Sequence, residues 1–581
     1  MAIINFDSEN SIANIFSVDT GVVFAKVNDL DELRKLQVNQ LIAIQSSKAG
    51  QLLIGLINKI TRKAIDVDVS SDDDIDENEL ALISTENLIK VTLIGTLFEA
   101  IGSQTDVFRR SIDSVPEIDA ECYPLQGANI TAFMSTISKA AKDGETPLSI
   151  GTYSIDENAE AFLDGDKLFQ RHAVVVGSTG SGKSWCVAKL IEQIADLKSP
   201  NCILFDIHGE YSTSSFEKEG ISHYRIANSS DLSKPNKLTD KILMLPYWLL
   251  TYEEMLAMLL DRSDSNAPNQ AMLFSRTVNE KKSDYLKSKS ENEILGTYTI
   301  DSPIPYSLNE AIEFLHEEDT RRVPGARANT EKDGPFNGKL TRFIQRLEAK
   351  KQDKRLGFLF EVSDNEMQME WLENFCNTLM KGDDDSGVKV IDFSEVPSDI
   401  LPLIISLVAR IIFSVQQWTK SENRHPISLF CDEAHLYIPD ITATDSISQI
   451  GLNTFERIAK EGRKYGVGLV VISQRPSEVN KTVMSQCNNF IALRLTNVED
   501  QSVIKRLLPD NLAGLTDIIP ILDVGEALVV GDASLLPTRI NINEPNIKPS
   551  SATIEFWKEW NSENVNQDLE SAIKSLRMQS K

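Results

Sequence analysis

The sequence predicts an α/β fold: a mainly parallel sheet preceded by a small β-barrel, interrupted by a helical insertion and followed by a helical tail. Three observations carry that reading. Apolar runs of strand length recur at AVVV (173–176), CILFDI (202–207), VKVIDF (388–393), ISLFC (427–431), GLVVIS (468–473) and NFIALRL (489–495). Several show no polar alternation, as strands buried on both faces require, and helix-like segments separate them. A glycine-rich turn joins one of these strands to a helix. Finally, 581 residues are too many for one core, so two to four domains are expected.

Residues 1–150 read as the barrel, because TGVVFAKV, QLIAIQSS, QLLIGLINKI and LIKVTLIGTLFEA are short β-branched runs separated by polar turns. The stretch 66–79 carries eight acids and reads as a solvated loop. The strand pattern places the sheet in 151–210 and 388–545, with 211–387 as a mainly helical insertion. Glu526–Asp532 and Leu536–Ile542 read as a closing hairpin, and 546–581 as a polar, helical tail. LPLIISLVARIIFSV (401–415) is the most membrane-like stretch. It falls short of the ~20 apolar residues of a span, and Pro402 and Arg410 interrupt it, so a buried core helix is expected and no membrane.

Lys and Arg number 59 against 86 Asp and Glu, a net charge of −27. A balance that acidic excludes a protein whose outer surface coats nucleic acid, but not one with a basic lining in a channel. One local segment fits such a lining: 321–355 holds eleven Lys/Arg against four acids. Its two readings are a grip on DNA phosphates and a solvated helix flank whose cations balance neighbouring acids. The six cysteines never form C-x-x-C and the opening MAIINFDSEN has no signal-peptide pattern, which fits a reducing cytoplasm.

Gly177-Ser178-Thr179-Gly180-Ser181-Gly182-Lys183-Ser184 matches G-x-x-x-x-G-K-[ST], between an apolar strand and a helix that opens with Trp185 next in line. Glycines let such a turn point its amides at a β-phosphate, and the helix N-terminus adds positive potential. Lys183 is expected to reach the β- and γ-phosphates and Ser184 to hold Mg2+. Asp432 ends an apolar strand, where a carboxylate holds Mg2+ through water, and Glu433 is placed to polarise the attacking water. An apolar strand (388–393) lies between the two motifs, which points to a RecA-like P-loop NTPase core of the additional-strand, catalytic-glutamate class. No N-K-x-D guanine reader is complete, so ATP is preferred to GTP. Gln474 leaves its strand at the level expected of a γ-phosphate sensor. Arg463, at the far end of a helix starting near Leu452, has two readings: an arginine offered to a neighbouring copy's nucleotide, or a helix-end cation on the dipole. Arg457 reads as structural.

Taken together, LFQRHAVVVGSTGSGKS, FDIHGEY, LPYWLLTYEE, LFCDEAHLYIP, ERIAKEGRKYGVGLVVISQRPSEV and GEALVVGDASLLPTRINI resemble the HerA branch of the HerA/FtsK superfamily of DNA-translocating ATPases. The resemblance implies a homohexameric ring, ATP bound at subunit interfaces, double-stranded DNA in the central pore and an effector, usually a nuclease, docked on the barrel side. It implies Glu433 as the catalytic glutamate, Arg463 as the arginine acting in trans, Gln474 as the sensor and Glu210 facing the nucleotide. The rival reading is an ATP-regulated scaffold that assembles an effector enzyme and has little motor activity.

Overall fold

Six of the seven strands near the N-terminus close on themselves, and their pleat explains why. In Val22–Val27 the side chains alternate inward and outward, and Val23 and Ala25 are fully buried. The computed structural model describes residues 4, 6, 10–38, 40–64, 85–102, 104–141, 147–234, 237–327, 329–381, 387–440, 446–507, 510–534, 536–550, 556–561 and 568–578. The acidic stretch 66–79 lies outside the described residues. The chain forms two compact units, one of 1–189, 474–477 and 488–544, the other of 190–473, 478–487 and 545–581.

In the first unit, antiparallel pairing runs through Val22–Val27, Ala13–Asp19, Glu121–Pro124, Leu41–Gln45, Gln51–Ala64 and Thr85–Ile101. Thr85–Ile101 then pairs back to Val22–Val27, which closes a six-stranded barrel and removes its edges. Ile15, Ile42, Ile44, Leu53, Ile57, Ile89 and Val91 fill it. A second set of strands follows the order Ala173–Val176, Asn489–Leu493, Glu526–Gly531, Thr538–Ile542, Leu148–Tyr153, Asp156–Leu163. The first pair is parallel; the 526–542 hairpin is antiparallel, as the sequence predicts. Asn489 is a buried polar knot here: its amide donates to the carbonyls of Lys167 and His172 and its oxygen accepts from the Ala533 amide. That satisfies a group whose burial would otherwise be costly.

The second unit carries a parallel sheet in the order Ile242–Leu243, Ile221–Ile226, Val388–Asp392, Cys202–Asp206, Ile427–Cys431, Val467–Ser473. Four of its runs, Val388–Asp392, Cys202–Asp206, Ile427–Cys431 and Val467–Ser473, are those predicted. The two at one edge are not: Ile221–Ile226 and Ile242–Leu243 come from within 211–387, read from sequence as mainly helical. ISHYRI buries only alternate residues, Ser222, Tyr224 and Ile226, so it lacks the continuous apolar run that marks its neighbours. The remainder of that stretch is dominated by helices, among them Ala267–Lys289, Leu308–Thr320 and Thr341–Gln352. The predicted buried helix spans Leu401–Trp418 and is apolar and long enough to cross a membrane, yet 72% of it is buried within the protein. Arg410 finds its partner inside: it donates twice to the Glu254 carboxylate at 2.8 Å and once to the Leu249 carbonyl. The helix ending in Arg463 spans Ser446–Tyr465, six residues longer at its start than its apolar periodicity suggested. The tail is helical at Phe556–Trp560 and Leu569–Met578.

Candidate nucleotide site

The phosphate turn is shaped by two glycines. Gly180 and Gly182 adopt φ of 73° and 100°, a region that side-chain-bearing residues avoid. A Cβ on Gly182 would also stand 3.1 Å from the Gly525 backbone. Within the turn, Ser178 N–H donates to the Arg494 carbonyl, Ser181 N–H to Ser178, and Gly525 N–H to the Ser181 carbonyl. The helix Lys183–Ala195 opens directly from this turn, with Cys186 N–H donating to the Gly182 carbonyl. Lys183 is 6% exposed and Ser181 fully buried, its Oγ without a protein hydrogen-bond partner. Ser184 is half-buried and Trp185 is exposed. A concave run of peptide groups, a buried ammonium and a helix N-terminus form a donor set that fits a polyphosphate. Gln474 joins this set: its Oε1 accepts the Thr179 hydroxyl at 2.6 Å.

The second unit carries carboxylates at the C-terminal edge of its own parallel sheet. Asp432 and Glu433 follow the fully buried strand Ile427–Cys431 and are themselves 2% and 3% exposed. Glu433 has φ 43°, ψ 46°, a left-handed conformation held by a non-glycine residue. Register places Asp206 opposite Asp392, and Phe205 opposite Cys431, so acids end three neighbouring strands at one level. Asp206 accepts from the Glu210 and Tyr211 amides at 3.0 Å and from the Ser212 hydroxyl at 2.7 Å. Burial nevertheless pushes its carboxyl up to about 6, with Asp392 adding to the rise. Asp206 thereby fixes the loop carrying Glu210, whose carbonyl also accepts from the Ser550 amide. Hard carboxylate oxygens of this kind suit Mg2+.

Two family models match this chain, the central domain of helicase HerA over 148–412 and the HerA-like C-terminal domain over 419–554. The chain belongs to the HerA family. The DNA double-strand break repair helicase HerA of Pyrococcus furiosus is 25% identical over 69% of this chain and 70% of its own length. A probable helicase of Methanocaldococcus jannaschii is 26% identical over 91% and 96%. The solved plasmid coupling protein TrwB in complex with ADP and Mg2+ is 14% identical, covers 71% of this chain and 95% of its own, and has a TM-score of 0.42. As a HerA-family member, the chain is an ATP-hydrolysing enzyme of the DNA translocase and helicase type.

The remaining residues of this HerA-family chain fall into place one by one. Arg463 lies in the last turn of Ser446–Tyr465, exposed and without an ion pair among the described residues. Arg457 stacks over the Phe413 ring at 5.2 Å and donates to Gln417, a structural role. In the basic segment, Arg321, Arg322, Arg346, Lys350, Lys354 and Arg355 are paired to Glu318, Asp333, Asp261, Asp399, Glu361 and Asp353. Local acids thus absorb much of the charge excess. Among the described residues Arg327, Lys332 and Arg342 are exposed and carry no ion pair. Sequence reasoning passed over Asp206. It had a usable signal, an aspartate ending the apolar strand CILFD just as Asp432 ends ISLFC.

Proposed function

We propose that the chain is one subunit of a homohexameric cytoplasmic ring that hydrolyses ATP to move double-stranded DNA through its pore. It would serve an effector nuclease docked on the barrel side, in antiphage defence or DNA end processing. The observation that carries the reading is the combination of a glycine-shaped phosphate turn around buried Lys183 with two adjacent buried carboxylates, Asp432 and Glu433. Turn amides other than those of Ser178 and Ser181, together with Lys183, hold the β- and γ-phosphates, Ser184 and Asp432 would hold Mg2+, and Trp185 and Glu210 border the nucleotide. When bound, Mg2+ would supply positive charge that offsets the charge developing on the transferred phosphoryl group. Glu433 orients the attacking water and takes up its proton, and Gln474, bonded to Thr179, reports the γ-phosphate. Arg463 of a neighbouring copy completes the site, a contribution worth about 10³–10⁵ in rate in other NTPases. Arg327, Lys332 and Arg342 are the cations left to track DNA phosphates without reading sequence.

A Glu433→Gln variant tests this directly. It is expected to bind ATP with near-normal affinity, read by Trp185 fluorescence, while turnover and DNA movement are lost. Full effector function in an intact complex that no longer hydrolyses ATP would favour the scaffold reading.

A further inference from the structure

We propose that Trp418 is the anchor through which one copy of this chain grips a second, at the sheet edge that carries Arg463. The proposal rests on the reading of Arg463 as an arginine offered to a neighbouring copy. Trp418 is 85% exposed, more than any other large apolar side chain among the described residues. It ends Leu401–Trp418, a helix buried over most of its length, shortly before the strand Ile427–Cys431. An indole held in water adds nothing to the protein's own core, whereas tryptophan is the side chain that interfaces between proteins favour most as an anchor. The helix ends at this edge are tied together. Arg424 donates to the carbonyls of Gln416 and Thr419 at 3.0 and 2.7 Å, where the Trp418 helix ends, and to the Lys464 carbonyl at 3.3 Å, where the Arg463 helix ends. One guanidinium thus takes up carbonyls at the ends of two helices. It also stands 5.4 Å from the centre of the Tyr465 ring, which meets Phe413 edge-on at 5.7 Å. Trp418 and Arg463 are therefore carried on joined helix ends, and seating the indole on a partner fixes where the arginine goes.

Charge identifies the occupant as a second copy. Besides Trp418 this edge carries Lys420, Arg463 and Lys464, exposed and without an ion pair among the described residues. Because strands Val388–Asp392, Cys202–Asp206, Ile427–Cys431 and Val467–Ser473 are parallel, the acids gather at the opposite edge. Glu210, Asp392 and Glu395 are half-buried there, and Leu436, just past Glu433, presents an exposed apolar side chain. A basic edge with a projecting indole and an acidic edge with an apolar site are complementary, and one body carries both. Two such bodies meet head to tail, the heterologous contact that repeats around a closed ring.

The test is assembly of the full chain. Native mass and specific ATPase activity are followed through a dilution series for wild type and Trp418→Ala. The variant is expected to need about 30-fold more protein to reach the wild-type mass, the effect of truncating an interface hot spot, with activity following mass. Diluted to single copies, it should melt at the wild-type temperature, because so exposed a side chain supports no core. A lower melting temperature would assign Trp418 to folding and overturn the inference. Trp418→Phe, assembled at high concentration, supplies a fluorescence blank. Wild type minus this blank reports the indole alone, and its emission should move to the blue as copies assemble. Superimposable mass profiles for wild type and Trp418→Ala, or an indole still in water within the assembled particle, would reject the anchor. Weaker binding of a duplex oligonucleotide with unchanged assembly would reject it too and give the indole to DNA. Arg463→Ala separates the two layers. Full turnover by assembled Arg463→Ala removes the trans arginine and leaves the anchor, whereas dead Arg463→Ala beside normally assembling Trp418→Ala removes the anchor alone.

Discussion

Single residues at this site occupy backbone conformations that few residue types tolerate. Gly182 is the clearest case, since its φ of 100° and the Gly525 backbone 3.1 Å from a would-be Cβ both forbid a side chain. Gly182→Ala is expected to strain the turn by about 1–3 kcal/mol and to abolish ATP binding. Thermal melting and nucleotide titration check this; normal ATP affinity in the variant would show that the turn tolerates a different shape. The motif alone was enough to mark Gly177–Ser184, because a phosphate turn is contiguous in sequence. Gln474 was legible only as the residue after an apolar strand. Its bond to Thr179, 295 positions away, belongs to the folded chain.

At the scale of elements, buried polar groups inside apolar helices are explained by partners that local pattern cannot name. Arg410 sits in Leu401–Trp418 and meets Glu254, which is 1% exposed and also completes the capping box of Tyr252–Leu259 with Thr251. Arg410→Ala should therefore cost about 3–5 kcal/mol, because it leaves Glu254 buried without its cation. Chemical denaturation measures the loss, and Arg410→Ala/Glu254→Gln should recover part of it. Lys282, in Ala267–Lys289, is 1% exposed and donates to the Ile300 and Ser302 carbonyls at 2.7 and 2.6 Å. Burial lowers its ammonium from 10.5 to about 8. Between those values the unfolded chain binds the proton and the folded chain does not, so this group's contribution to stability rises with pH across that window. Lys282→Met should remove the rise. Urea unfolding at pH 7.5 and 9.5 compares the two proteins, and an identical pH response would count against it.

For the whole molecule, the proposed DNA contact is left to a few local cations by the charge of −27, and the ion pairs that 321–355 makes with acids in and around it reduce them further. DNA-stimulated ATPase should weaken steeply with salt, as phosphate contacts do. Under the proposed trans role, Arg463, exposed in the last turn of its helix, makes activity a property of assembled copies. Specific ATPase activity should fall on dilution as subunits separate, and Arg463→Ala should lower turnover about 10³-fold or more without changing native mass. A flat activity profile down to monomeric protein would remove the arginine from its trans role.

The sequence by itself determined the strand–turn–helix of the phosphate site, the acid-tipped strands, the closing hairpin and the core identity of Leu401–Trp418. Each is written in the periodicity or punctuation of a short contiguous stretch. Only the tertiary structure decided that Ile221–Ile226 joins the parallel sheet, that Arg410 belongs to Glu254, and that Arg424 joins the ends of two helices. Those outcomes depend on strand register and packing between segments 40 to 167 residues apart. No local pattern carries such information, because a side chain's partner is set by which distant backbone the fold brings to the same level.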